Sequence, residues 1–190
     1  VLNTPVISGN VSFYNENPKG AIDPTPMVGV VGLIEDADKC VTQDFKNESD
    51  LIVLLGENKA DLSGSEYLYL IHKQKKGNPQ IDMNIEKSVQ DTCLEAVRLG
   101  IINSAHDCSE GGLAVTLAES CITNGKRMLG AVIKLVTSSV TCRRGTDTSE
   151  DVRKDVLLFG ETPSRIVVSL SKDKLSVLEK IAKKYSLPYH

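Results

Sequence analysis

Ser104-Ala105-His106-Asp107-Cys108-Ser109-Glu110-Gly111-Gly112-Leu113-Ala114 holds the densest chemistry of the chain. Imidazole, carboxylates, a thiol and hydroxyls stand ahead of a Gly pair. Behind the pair, Leu113, Ala114, Leu117, Ala118 and Cys121 recur at helical spacing. The pattern predicts a loop that delivers ligands to a helix N-terminus. There the unpaired backbone N–H groups and the positive end of the dipole favour an anion. Gly111 and Gly112 would let the backbone approach a phosphate without a Cβ in the way. The same residues also suit a plain Ser or Asp N-cap with glycines in a tight turn, and the stretch by itself leaves both readings open.

The flanks decide the fold class. Upstream, Leu51 to Leu55 ending at Gly56 reads as a short buried strand, and Leu62 to Glu66 opens a short helix. Asp82 or Asn84 caps a helix whose apolar positions Ile85, Val89, Cys93 and Val97 fall four apart, and Gly100 ends it. Downstream, Gly130 to Leu135 reads as a strand, and Thr137 to Asp155 as an exposed Ser/Thr-rich loop with Arg143 and Arg144. Leu157 to Ser164 turns into a buried strand over Arg165 to Leu170, and Lys174 to Tyr185 closes as an amphipathic helix. Strands and helices mix without strict βα alternation, which predicts an α+β fold. No internal repeat is visible.

Further upstream, Thr4 to Ile7 reads as a strand, and Val11 to Tyr14 alternates as a second one. Gly9-Asn10 lies between them, a position where Gly permits close approach of a ligand and an Asn carbonyl can ligate Mg²⁺; the pair also suits a plain tight turn. A turn follows through Asn15, Asn17, Pro18 and Gly20. Met27 to Ile34 is a continuous apolar run that predicts a strand buried on both faces. Glu35 to Ser49 is polar and aperiodic, so the division is placed there: residues 1–38 and residues 39–190.

At 190 residues, with 41% hydrophobic and 25% charged side chains, the composition is that of a globular domain, with or without a piece of another. A net charge of −3 gives no basic footprint for nucleic acid and no polybasic membrane patch. No apolar run approaches the about 18 residues of a membrane-spanning helix. Cysteines at 40, 93, 108, 121 and 142, odd in number and without C-x-x-C spacing, point away from disulfides or structural zinc and towards a reducing cytoplasm. A Cys108–His106 nucleophile is rejected, because no orienting partner for it is visible. Val1 and the ending at His190 suggest a piece of a longer protein.

Four blocks, in order, carry a family resemblance: Ser8 through Glu16, Pro24 through Gly29, Ser104 through Glu119, and Phe159-Gly160-Glu161 with Ser164 through Val168. Together they resemble the phosphoribosylformylglycinamidine synthases, specifically the large synthetase subunit, across nearly the whole chain. The resemblance implies the aminoimidazole-ribonucleotide-synthetase-like α+β fold. Residues 1–38 would end the ATP-binding N-terminal half-domain of a second pseudo-repeat, and residues 39–190 would be its incomplete C-terminal half-domain. It implies a cytoplasmic C–N ligase of purine biosynthesis, converting formylglycinamide ribonucleotide, ATP and glutamine-derived ammonia to the amidine. Mg²⁺ and ATP are the implied cofactor and co-substrate; the implied partners are the missing N-terminal pseudo-repeat and a glutaminase, with neither nucleic acid nor membrane. Residue by residue, Gly9 matches a nucleotide contact, Asn10 a Mg²⁺ ligand and Ser12 a substrate contact. In the long single-chain form the His-Asp-x-Ser element is similar to His106-Asp107-Cys108-Ser109, with Asp107 a Mg²⁺ ligand and Ser109 a contact of a second, structural nucleotide. The family's general base would lie ahead of Val1, so no catalytic residue is assigned and the piece alone is expected to be inactive. Where relatives commonly show Glu-Ser-Gln-Ser-Arg, this chain has Glu161-Thr162-Pro163-Ser164-Arg165, and Pro163 removes a backbone donor. The alternatives are a structural and interaction half-domain holding a non-turning-over nucleotide, or another synthetase or kinase of the superfamily.

Overall fold

A computed structural model of the chain describes residues 2–10, 14–135 and 153–190. The elements run β1 (Glu16–Asn17), β2 (Gly20–Ala21), β3 (Leu51–Leu55), α1 (Glu66–His72), α2 (Met83–Arg98), β4 (Ser104–Asp107), α3 (Gly112–Ile122), α4 (Lys154–Phe159), β5 (Ile166–Leu170) and α5 (Leu175–Lys184). Strands β3, β5 and β4 form an antiparallel sheet in that order, so β5 is hydrogen-bonded on both edges.

Because strand residues alternate between faces, this sheet must be covered twice. Val53, Leu55, Val168 and Leu170 pack against Val89 and Ala96 of α2 and Leu178, Ile181 and Ala182 of α5. The opposite face sets Leu54 and Val167 against Phe45 and against Leu113 and Leu117 of α3. A polar pair also sits inside: Ser104 and Ser169 face each other across β4 and β5 with their hydroxyls 2.7 Å apart, both buried. That mutual bond offsets the desolvation of both groups.

Helices α1, α2 and α5 lie close to where the sequence predicts, whereas α4 covers residues read there as the end of an exposed loop and a turn. Asp82 Oδ1 accepts from the N–H groups of Asn84 and Ile85 and so caps α2, and Gly100 follows its end in a left-handed conformation. Ser65 caps α1 by accepting from Leu68 N–H. In α5 the buried side chains are Leu178, Ile181 and Ala182, the face that meets the sheet.

Four expectations are corrected. Thr4 to Ile7 is irregular and exposed, with Ile7 93% accessible. Met27 to Ile34 has no ladder partner among the described residues, and Met27 and Val31 are almost fully exposed. An apolar run becomes a buried strand only when strands flank it, and among the described residues none does. Gly130 to Leu135 likewise forms no strand; it runs along a cavity of about 770 Å³ on the α3 side of the sheet, with Leu129 and Leu135 partly buried. Conversely, Ser104 to Asp107, read as loop, is β4. It lacks an apolar run because its pairing with β5 rather than its side chains defines it. The expected turn after Asn15 is the β1–β2 hairpin. The expected strand at Val11 to Tyr14 and the Arg143-Arg144 loop fall on Val11 to Phe13 and on residues 136–152, outside the described residues.

Asp44 anchors the chain where it enters the sheet domain. Its carboxylate accepts from Thr42 Oγ1 at 2.6 Å, from Asn124 Nδ2 at 3.2 Å and from Lys46 Nζ. The Lys46 and Thr42 hydrogen bonds hold its carboxyl well below the usual carboxylate range. A depressed folded value gives stability that is complete above the unfolded carboxyl pKa of about 4 and is lost as pH falls towards the folded one. Asp44→Asn should therefore be less stable than the wild type at neutral pH and lose stability less steeply in acid. Urea midpoints across pH 2 to 7 check this, and parallel acid profiles for the two proteins would contradict it.

Candidate functional site

The site is built where β4 gives way to α3. Asp107 ends the strand, Cys108 to Gly111 make the connection, and Gly112 begins the helix. Gly111 (φ 82°) and Gly112 (φ 65°) are both left-handed, a conformation that costs L side chains about 1–2 kcal/mol. Space forbids them too. A Cβ on Gly112 would lie 2.5 Å from the Gly160 carbonyl oxygen, and one on Gly111 would lie 2.3 Å from a methyl of Val115. Gly112 thus serves close packing of backbone against backbone, the start of α3 against the end of α4, and Gly111 leaves room for the Val115 side chain of α3 itself.

The anion niche of the helix start is taken by the protein itself. Gly111 N–H donates to Glu161 Oε1 at 2.8 Å, and Glu66 N–H, at the start of α1, donates to the same oxygen at 2.8 Å. Neither Ser109 nor Asp107 caps α3 through its side chain; Ser109 contributes only its carbonyl, which accepts from Gly112 N–H at 3.0 Å. Both open readings of the motif are thereby revised at Gly111: its donor meets a carboxylate from a distant segment.

Asp107 and Ser109 remain on the outside, the Asp107 side chain 70% accessible. The Asp107 carbonyl accepts from Thr116 Oγ1 at 3.1 Å, which ties the strand end to the second turn of α3. His106 lies half-buried, its Nε2 2.8 Å from Glu119 Oε2 and its Nδ1 3.4 Å from Asp107 Oδ1. The imidazole is therefore engaged by carboxylates and not by the Cys108 thiol. Burial pushes that thiol's pKa up, which keeps it protonated and unreactive.

Arg165, 3% exposed, braces the site from behind. Its Nε donates to the Thr162 carbonyl at 2.9 Å, Nη1 to Asn58 Oδ1 at 2.8 Å and Nη2 to the Gly160 carbonyl at 2.6 Å. Its own carbonyl accepts from Cys108 N–H at 3.0 Å. Burial lowers the guanidinium pKa, partly offset by the charge of Glu161. Ser164, next to Pro163, is left-handed (φ 63°). Its carbonyl oxygen would lie 2.1 Å from any Cβ on Gly56.

Of the residues assigned from sequence, Asp107 and Ser109 stand together on the loop. Gly9 and Asn10 lie in exposed irregular chain, and no hydrogen bond or ion pair joins them to Asp107 or Ser109. Ser12 lies outside the described residues. For Mg²⁺ the donor chemistry at Asp107 fits in kind, an accessible hard oxygen. Among the described residues no three His, Cys, Asp or Glu side chains gather into a cage. Mg²⁺ commonly takes one or two carboxylates and completes its shell from phosphates and water, so one outward carboxylate suits it. Glu161, Arg165 and Asn58 were not assigned from sequence. Glu161 lies 50 residues from Gly111 and 95 from Glu66, beyond any local pattern.

Residues 47–190 match the family model of the AIR synthase related protein, C-terminal domain. The chain is 47% identical over 188 residues to the phosphoribosylformylglycinamidine synthase subunit PurL of Thermoanaerobacter sp. (strain X514), covering 98% of this chain and 24% of that protein. The PurL subunit of Alkaliphilus metalliredigens (strain QYMF) is 43% identical over 189 residues, 99% of this chain and 23% of that one. The chain thus spans about a quarter of the length of these curated relatives. Among solved structures, PurLQS from Thermotoga maritima superposes with a TM-score of 0.63 at 22% identity, over 81% of this chain and 23% of that one. T. maritima PurL complexed with FGAR gives 0.63 at 22%, over 81% and 25%. At that identity the likeness shows the fold, and it agrees with the α+β architecture expected from the sequence.

Crowding at the glycine pair is directly testable. Gly112→Ala should cost more than about 2 kcal/mol, since it meets both a positive φ and the Gly160 carbonyl. Gly125→Ala, with nothing within 4 Å of the added carbon, should stay within about 0.5 kcal/mol. Urea denaturation of both variants compares them, and equal losses would contradict the packing described.

Proposed function

Since the chain belongs to the family of AIR synthase related proteins, by their C-terminal domain, we propose that it is the C-terminal part of the second pseudo-repeat of a phosphoribosylformylglycinamidine synthase. The full-length parent is then a cytoplasmic ATP-dependent ligase of purine biosynthesis. It converts formylglycinamide ribonucleotide, with ammonia drawn from glutamine by a glutaminase partner, to formylglycinamidine ribonucleotide. The observation that carries this reading is the 47% identity over 188 residues to subunits of that name. Residues 1–38 belong on this reading to the ATP-binding half-domain and residues 39–190 to the C-terminal one.

The chemistry asks the protein mainly to position reactants and balance charge. Attack of an amide oxygen on the γ-phosphorus expels ADP and leaves a phosphate ester on that oxygen. Ammonia then adds at the activated carbon and inorganic phosphate departs, and rate comes from orientation and electrostatics. Mg²⁺, when bound, supplies neutralisation of phosphate charge. Asn10 is a proposed Mg²⁺ ligand, Gly9 a nucleotide contact and Ser12 the substrate contact; Asp107 is a proposed Mg²⁺ ligand and Ser109 a contact at a second, structural nucleotide. A carboxylate such as Asp107 would repel a bare phosphate, so its proposed role makes sense only towards a cation. The catalytic base belongs to the rest of the parent, and the 190-residue piece alone is inactive on this reading.

A second reading, a half-domain whose task is packing and retention of a nucleotide that does not turn over, is favoured by the bare Met27–Ile34 run, which needs a cover. It is compatible with the first if the parent is the enzyme. A different synthetase or kinase of the superfamily fits the Ser8 to Glu16 block less well.

With the full-length parent and ammonium as nitrogen source, ADP should appear only when formylglycinamide ribonucleotide is present. A coupled ADP assay with and without that substrate measures it. ADP formation indifferent to the ribonucleotide would overturn the assignment.

A further inference from the structure

We infer that Glu161 is a positioning residue, whose carboxylate sets the loop from Asp107 to Gly111 for a metal-bound nucleotide by drawing two backbone donors onto one oxygen. The inference rests on the proposed reading of Asp107 and Ser109 as metal and nucleotide contacts.

Three observations meet here. The N–H groups of Gly111 and Glu66, at the starts of two helices, both donate to Glu161 Oε1 at 2.8 Å. Bonds to a charged acceptor are about twice as strong as neutral ones. Next, the connection from β4 to α3 is fastened at both ends by one segment: Cys108 N–H donates to the Arg165 carbonyl, and Gly111 N–H to Glu161. Ser109 and Glu110 are thus held between two fixed points, and a loop already ordered loses less entropy when it binds. Finally, Glu161 has little room to shift. A Cβ on the preceding Gly160 would lie 2.6 Å from the Asp61 carbonyl oxygen, and one on Gly112 would lie 2.5 Å from the Gly160 oxygen. Backbone touches backbone across all three segments. The buried Arg165 guanidinium adds attraction for the carboxylate. With Gly111 N–H engaged by Glu161, the exposed residues left on this loop are Asp107, Ser109 and Glu110, of which Asp107 and Ser109 carry the proposed contacts.

The test uses the full-length parent and Mg·ADP as probe. Mg·ADP affinity, the KM for formylglycinamide ribonucleotide and the melting temperature are measured for wild type, Glu161→Ala, Glu161→Gln and Glu161→Asp. Removing an acceptor shared by two N–H groups should weaken Mg·ADP binding about tenfold in Glu161→Ala. Glu161→Gln keeps an acceptor oxygen at the same reach and should stay within about threefold of the wild type. Glu161→Asp keeps the charge, falls short of both donors, and should resemble Ala; if Ala does not fold, the order of Gln over Asp decides. The KM for the ribonucleotide should hold within about twofold throughout, whereas a general loosening would move it together with the melting temperature. Unchanged Mg·ADP affinity in folded Ala or Asp variants overturns the inference, as does Asp outperforming Gln. A wild type that forms ADP from the ribonucleotide but binds no Mg·ADP beyond the active site overturns the loop reading and this inference with it. Failure of the ribonucleotide dependence itself would instead remove the ligase assignment.

Discussion

Strand β5 has no free side. It pairs with β3 along one edge and β4 along the other, and its two faces meet α2 and α5 on one side and α3 on the other. Strands β3 and β4 and helices α2, α3 and α5 are all placed against these five residues. A strand buried on both faces tolerates neither register shift nor rotation, because a one-residue slip would exchange Val168 and Leu170 with Val167 and Ser169. Arg165, one residue ahead, inherits that fixity. Its carbonyl holds Cys108 N–H, and its side chain reaches Asn58, Gly160 and Thr162. The rigid core is thereby carried to the edge of the candidate site.

From there the site is a matter of backbone crowding. Gly112 sits against Gly160, and Gly160 against Asp61, at distances that exclude any side chain. The segments so pressed together present N–H groups at two helix starts, and Glu161 answers both with one oxygen. The motif at Gly111-Gly112 looks from sequence like an open seat for phosphate. In the fold the backbone donor at Gly111 is spent internally, and the loop's exposed chemistry is the Asp107 and Glu110 carboxylates and the Ser109 hydroxyl.

Periodicity exposed what depends on periodicity. The four-residue spacing from Ile85 to Val97 and the short runs Leu51–Leu55 and Ile166–Leu170 became α2, β3 and β5, since their apolar residues find cover within the described chain. Met27–Ile34 and Gly130–Leu135 are apolar runs too, but among the described residues no strand pairs with them, and composition cannot supply a neighbour. Strand β4 was invisible for the converse reason: Ser104-Ala105-His106-Asp107 has no apolar alternation, and pairing with β5 makes it a strand. At the site, Asp107 and Ser109 were legible as a local cluster. Glu161, Arg165 and Asn58 were not, because each acts across tens of residues of sequence on partners that only the fold brings near.

The most direct test of the account concerns whether the Asp107 loop holds a metal-bound nucleotide. In the full-length parent, the melting temperatures of wild type and Asp107→Asn are measured with and without Mg·ADP, beside the single-turnover rate. Asn keeps the size and one oxygen but not the charge, and a ligand bound only to the folded state raises the melting temperature according to its occupancy. The account predicts that the variant loses most of the nucleotide-dependent rise while its chemical step is slowed less. An equal rise in both proteins, with only the single-turnover rate collapsing in the variant, would contradict it.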